Sequence, residues 1–393
     1  MAFFWRSDPP TKRTNTRQCP MKYPPFEIEN FFRQYEFSSP YQLSASDCEP
    51  LTLPELLEYA SPARRQQFES LWLGYTEAQG HPELRAAIAD MHAGIEPQQV
   101  LTVVPEEGIF LAMNAHLNAG DHVVAIYPAF QSLYEIARVK GCELSYWQPQ
   151  RTEDGWDFCV DELAALIRPD TRMLIINFPH NPTGYLPSQA DFARIIKLAS
   201  ARGLLLFSDE IYRFAEQDPA TRLPSACEVY ERAIVLGGLS KCFGAPGLRT
   251  GWLITRDERL LNECQELKSY TTICASAPSE IMAIIALENW QALVGRAIDI
   301  VQRNIASAKA FFGRYPDLFW VGYPRCGTIS LAELRAEMPV SEFAAAIVRE
   351  QGVMALPGNI MHFAGNYFRL GFGRRALPQA FEPFEQFIHD HLL

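Results

Sequence analysis

The chain has 393 residues, a length at which two domains are the expectation. Apolar residues make up 48% and charged residues 21%, which excludes a disordered chain. A net charge of −11 argues against a nucleic-acid backbone as partner, because phosphates require clustered basic surface.

Residues 1–22 read as a disordered tail, with a few basic residues but no apolar core of signal-peptide length. Residues 23–50 are rich in aromatic residues and proline and read as an arm joining a smaller domain. From about Pro54 helical and strand-like segments alternate. Residues 84–94 carry apolar residues at helical spacing and end at Gly94. Short apolar runs bounded by turn residues follow at 99–104, 122–127, 172–178, 203–209, 233–239 and 251–255, with helix-length segments between several of them. Strand and helix in alternation predict a mostly parallel sheet with helices on both faces, in a large domain spanning 51–285. After Pro278 a long helical stretch is broken only at Gly295, and residues 286–393 read as a smaller α+β domain. No run approaches the ~20 apolar residues of a membrane span, so no membrane is expected as partner. Nine cysteines, from Cys19 to Cys326, form no CxxC pair, which points to a reduced, cytoplasmic protein.

Four polar features sit just after predicted strands, where ligands bind in open α/β sheets. In 237–252, Lys241 lies in a loop containing glycine and serine, and Arg249 follows eight residues on. A lysine so placed can act as an amine nucleophile, and the arginine offers a planar fork for phosphate; alone, the pair is also an ordinary loop lysine and an unrelated arginine. Asp209 closes an apolar run, so its carboxylate needs a cationic partner such as a protonated pyridine nitrogen, unless it only caps a helix; Tyr212 lies three residues on. Asn181 opens the Asn-Pro-Thr-Gly turn at 181–184. Phe130 follows another strand, where its face can stack on a ring or simply join the core.

These features, in this order, resemble the fold-type I pyridoxal 5′-phosphate (PLP) enzymes, the class I/II aminotransferases in particular. The resemblance runs from about Leu43 to the C-terminus and rests on the Asn-Pro-Thr-Gly turn, the D-x-x-Y of Asp209 and Tyr212, and the S-K-x5-G-x-R of Ser240 to Arg249. It implies an α/β fold: a mostly parallel, seven-stranded sheet sandwiched by helices, with a smaller α+β domain. It implies that Lys241 holds PLP as a Schiff base and that the enzyme moves the amino group of an L-amino acid to a 2-oxo acid. Asp209 would face the pyridine nitrogen, Asn181 and Tyr212 the phenolic oxygen, Phe130 the ring, and Ser240 and Arg249 the phosphate. The backbone N–H groups of Glu106, Glu107 and Gly108 would meet the phosphate at a helix N-terminus. Arg369, with Asn181, would bind the substrate carboxylate, and Tyr75 would reach the cofactor of the second subunit in a homodimer with shared sites.

Two departures stand out. Gly238 occupies the position three before the lysine where the family carries a hydroxyl, and the phosphate loop reads Pro105-Glu106-Glu107. If one of those carboxylates points to the substrate, it can bind a basic side chain. Segments such as GYTEAQG, YPAFQSLYEIA and SAPSEIMAIIAL resemble the branch that includes capreomycidine synthase, which implies a second reaction: elimination or cyclisation of a hydroxylated, arginine-like amino acid. A PLP-binding sensor domain of a transcription regulator is the remaining alternative. The acidic chain, with no helix-turn-helix pattern before Leu43, argues against it.

Overall fold

The computed structural model describes residues 23–393, so the tail expected at 1–22 lies outside the described residues. The six apolar runs form strands: β1 (Val100–Val103), β2 (His122–Ile126), β4 (Thr171–Asn177), β5 (Leu205–Asp209), β6 (Ala233–Gly238) and β7 (Gly251–Ile254). With β3 (Glu143–Trp147) they make one seven-stranded sheet in the order β1-β7-β6-β5-β4-β2-β3. All neighbours run parallel except β7, which is antiparallel to both β1 and β6. Strands β2, β5, β6 and β7 are buried along their whole length, as covering both faces with helices requires. The sequence reading missed β3. It is the edge strand, and four of its five residues are partly or fully exposed, so it shows no apolar run.

The chain passes from β2 outward to β3, then returns to place β4 on the other side of β2. That reversal opens a crevice at the carboxyl ends of β2 and β4. Helices α1 (Glu27–Tyr35), α2 (Pro82–Ala89), α3 (Pro105–His116), α4 (Ser132–Val139) and α5 (Gln189–Arg202) precede or alternate with the strands.

The stretch after Pro278 is not one helix broken at Gly295. It is α6 (Ala277–Glu288) and α7 (Trp290–Phe312), bent by 77° at Asn289. The Asn289 amide donates to the carbonyls of Ile285 (2.9 Å) and Tyr59 (3.2 Å), ending α6, while Gly295 lies within α7. A second sheet, β8 (Phe319–Val321), β9 (Ile329–Leu334), β10 (Leu356–Pro357) and β11 (Tyr367–Gly371), is antiparallel in the order β8-β9-β11-β10. It packs with α7, α8 (Val340–Gln351) and α9 (Phe381–His391) around Phe311, Phe343, Phe368 and Phe384. The arm pairs with this unit through Tyr41 and Gln42, which run parallel to Val353 and Met354. Among the described residues no single helix is long and apolar enough to cross a membrane.

Candidate active site

A cavity of about 550 Å³ opens where β2, β4, β5 and β6 end, closed on one side by α1 and the arm. Lys241 sits three residues past β6. Its Nζ donates to Ser46 Oγ at 2.9 Å and lies 5.6 Å from the centre of the Tyr212 ring. The Ser46 carbonyl accepts from both Tyr212 Oη (3.0 Å) and Thr328 Oγ1 (2.7 Å), so the segment under the lysine is fixed from two sides.

Asp209, the last residue of β5, is 4% exposed. It accepts the Ile211 N–H at 3.0 Å. Burial pushes its carboxyl up to about 7, against the opposing fields of that hydrogen bond and of Lys241. Such a group needs a cation next to it to stay ionised. Asn177, at the end of β4, bridges the neighbourhood: its Nδ2 donates to the Asp209 carbonyl (3.1 Å) and its Oδ1 accepts the Asn181 N–H (2.9 Å). Gly184 lets the turn through Asn181 close, since at φ +68° an added Cβ would lie 2.6 Å from the Ile329 carbonyl oxygen.

Arg369, in β11, is 2% exposed. Nε and Nη2 donate to the Ser44 carbonyl at 3.1 and 2.8 Å, Nη1 lies 3.5 Å from Asn181 Oδ1, and the guanidinium is 5.5 Å from the centre of the Phe32 ring. Desolvation pulls its pKa down, and among the described residues no carboxylate lies within ion-pair distance. A buried guanidinium with hydrogen-bond partners but no counterion, at the edge of a cavity, is built to receive an anion.

At the other end, α3 begins with Pro105, so the N–H groups of Glu106 and Glu107 are left free of helix partners. Gly108 does not join them. Its N–H donates to the Val104 carbonyl at 2.9 Å, and a Cβ there would stand 2.9 Å from Leu236, so its place is in helix-sheet packing and it offers no phosphate donor. The Glu107 side chain turns away, accepting the Val104 N–H (3.2 Å) and Thr272 Oγ1 (2.8 Å). Glu106 lines the cavity. Burial, with the fields of Glu29 and Asp209, pushes its carboxyl up to about 7. Arg249 also lines the cavity, exposed, at φ +53°, a left-handed conformation rare outside glycine. Ser240 and Phe130 line the same space, Phe130 packed against Phe26 at 5.2 Å. Tyr75 does not: it is 84% exposed on the single chain.

The family model for aminotransferase class I and II matches residues 41–376. The chain belongs to this family. Relatives include capreomycidine synthase of Streptomyces vinaceus, 28% identical over 90% of both chains. Solved structures with the same fold include a PLP-dependent aminotransferase from Streptococcus suis (29% identity, TM-score 0.88, covering 94% of this chain and 99% of that one). The PLP-dependent cyclase OrfR has a TM-score of 0.86 at 27% identity, covering 95% of this chain and 100% of that one.

The donor set of this aminotransferase fits pyridoxal phosphate. One amine, a buried carboxylate with raised pKa and an arginine line one cavity together with Glu106, whose N–H is free at the helix start. Gly238 also has a reason. A Cβ there would come within 2.9 Å of the tip of the Ile211 side chain and 3.2 Å of Gly251 Cα and Pro105, so a hydroxyl side chain enters only if these neighbours shift. Sequence reasoning missed Asn177, Ser46, Asp47, Glu29 and Glu36, all of which line the cavity. Only Asn177 carried a signal, as a polar residue at the end of an apolar strand.

Proposed function

We propose that this protein is a PLP-dependent aminotransferase in which Lys241 is the residue that carries the cofactor and moves the proton at the substrate Cα. The observation that carries the reading is the Arg369–Lys241 pairing within one cavity: a buried, counterion-free guanidinium for an α-carboxylate and an amine near the Asp209 carboxylate. When bound, pyridoxal phosphate supplies a ring that accepts the electron pair of a broken Cα–H bond. Asp209 would supply negative charge to the ring nitrogen, and Arg249, Ser240 and the N–H groups of Glu106 and Glu107 would hold the phosphate. Arg369 fixes the carboxylate, so that the Cα proton faces Lys241, which removes it as a general base and returns a proton as the acid. The substrates are small molecules, an L-amino acid and a 2-oxo acid, handled in a reducing cytoplasm.

The functional unit is a homodimer. Trp72, Leu73, Tyr75 and Tyr270 are 79%, 78%, 84% and 88% exposed on one chain, an apolar surface that a second copy would cover while Tyr75 reaches its phosphate site. A second reading, elimination or ring closure after the same Cα–H cleavage, is favoured by the similarity to capreomycidine synthase and to the cyclase OrfR. Incubating the loaded protein with an amino-acid panel, with and without 2-oxoglutarate, separates the two. Conversion of the cofactor to its amine form with oxo-acid-dependent turnover supports transfer; product formed without any oxo acid overturns it.

A further inference from the structure

The cavity carries more negative charge than amino-group transfer uses. Five carboxylates line it (Glu29, Glu36, Asp47, Glu106 and Asp209) against three cations, Lys241, Arg249 and Arg369. Asp47 is matched by Arg374 in a two-bond pair at 3.0 and 2.8 Å. Asp209 has its role beside the ring nitrogen, and the three cations are engaged by the cofactor and the substrate carboxylate. Glu29, Glu36 and Glu106 remain, with no cationic side chain in ion-pair distance among the described residues. A dianionic phosphate at the α3 end would deepen the imbalance.

Two of these carboxylates share one face. Glu29 and Glu36 stand three residues before and four after Phe32, a spacing that puts all three on the same side of α1 and its last turn. Phe32 is the residue whose ring faces the Arg369 guanidinium. The two carboxylates therefore flank the amino-acid position, displaced by about 4.5 and 6 Å along the helix axis. The face is not free to swing into solvent. The Glu27 N–H donates to Gln131 Oε1 and the Gln131 amide donates to the Pro25 carbonyl, both at 3.0 Å, while Phe26 packs on Phe130. The loop after β2 thus clamps α1 over the cavity. Glu36 is half-buried, and its carboxyl is pushed up by burial and by the fields of Asp47 and Glu29, which outweigh the opposing fields of Arg374 and Lys241.

We infer that α1 is the specificity element of this site: Glu36, with Glu29 at the rim, selects an amino acid whose side chain ends in a cation, a guanidinium or an ammonium. The inference rests on the amino-acid reading of the cavity given above. An acidic side chain would face two carboxylates that hold no ion pair, and a neutral one would leave them so.

Arginine and citrulline have nearly the same shape and differ in charge, so their comparison isolates the effect. In titrations of the PLP-loaded protein followed by cofactor absorbance, arginine is expected to bind at least about tenfold tighter than citrulline, with lysine likewise favoured over norleucine. Glu36→Gln should bring the arginine-to-citrulline ratio within about threefold of unity, and Glu29→Gln should lower it less, because an exposed pair contributes less. A wild-type ratio near one overturns the inference, as does a ratio unchanged in a folded Glu36→Gln protein. If neutral or acidic amino acids perturb the cofactor as readily as arginine, the specificity claim alone falls. If no amino acid perturbs it, the amino-acid reading falls and the inference with it.

Discussion

Replacing Arg369 with lysine keeps the charge and removes the fork. In the structure Nε and one proton of Nη2 are committed to the Ser44 carbonyl and one Nη1 proton is directed at Asn181 Oδ1, which leaves the other Nη1 proton and the far side of Nη2 for a ligand carboxylate. A lysine amine cannot serve Ser44 and grip both carboxylate oxygens together. Losing one hydrogen bond to a charged group removes about 1.5–3 kcal/mol of binding, which corresponds to a ~10–100-fold rise in Kd for an amino acid. The decarboxylated amine of the same side chain makes no such contact, so its Kd should move by less than about threefold. Stripping donors from the buried Ser44 carbonyl should also lower stability by about 1–3 kcal/mol, so a melting curve must accompany the titration. Equal losses for the amino acid and its decarboxylated amine would refute the assignment, because the defect would then be one of folding or of cofactor loading.

Asp209 gives a pH prediction with a definite sign. Its carboxyl is pushed up to about 7 in the folded protein, so the folded state keeps a proton that the unfolded chain has released. That contribution is full below the unfolded value and lost as pH rises through about 7. In the cofactor-free protein, Asp209→Asn should therefore gain stability relative to wild type on going from about pH 6 to about pH 8, by about 1 kcal/mol; a melting-temperature difference independent of pH would contradict this. Gly238→Ser drives a side chain against Ile211, Gly251 and Pro105, and should destabilise by about 1–3 kcal/mol without tightening cofactor binding; tighter PLP binding with an unchanged melting curve would show that the strand end has room after all. Trp72→Asp places a charge in the exposed apolar surface beside Tyr75 and should convert a two-chain particle to single chains, with weaker PLP binding, in light-scattering and titration measurements. A single-chain wild type that binds PLP fully would contradict the shared site.

The residues that sequence reasoning singled out for chemistry lie where physics makes chemistry legible. Asp209 ends, and Lys241 and Asn181 follow, a fully or nearly fully buried strand, and a polar residue there stands out against an apolar run. Strand β3 was hidden by the same logic reversed, since an exposed edge strand shows no such run. The break at Asn289 went to Gly295 instead because glycine is the louder signal, whereas the bend comes from an asparagine side chain bonding backward to Ile285. Ser46, Asp47, Glu29 and Glu36 reach the cavity only because the arm folds back more than 190 residues in sequence from Lys241, and nothing in local periodicity encodes that return. Gly108 shows the opposite error. It stands next to two helix-start residues in sequence, but one further residue into the helix its N–H already has a partner.

The central claim is that one lysine carries the cofactor. Loading the protein with PLP, reducing it with borohydride and sequencing the peptides by mass spectrometry tests this directly. The pyridoxyl group should sit on Lys241 alone, and Lys241→Ala should bind PLP without any covalent label surviving reduction. A label on another lysine, or a Lys241→Ala protein that still becomes labelled, would contradict the account.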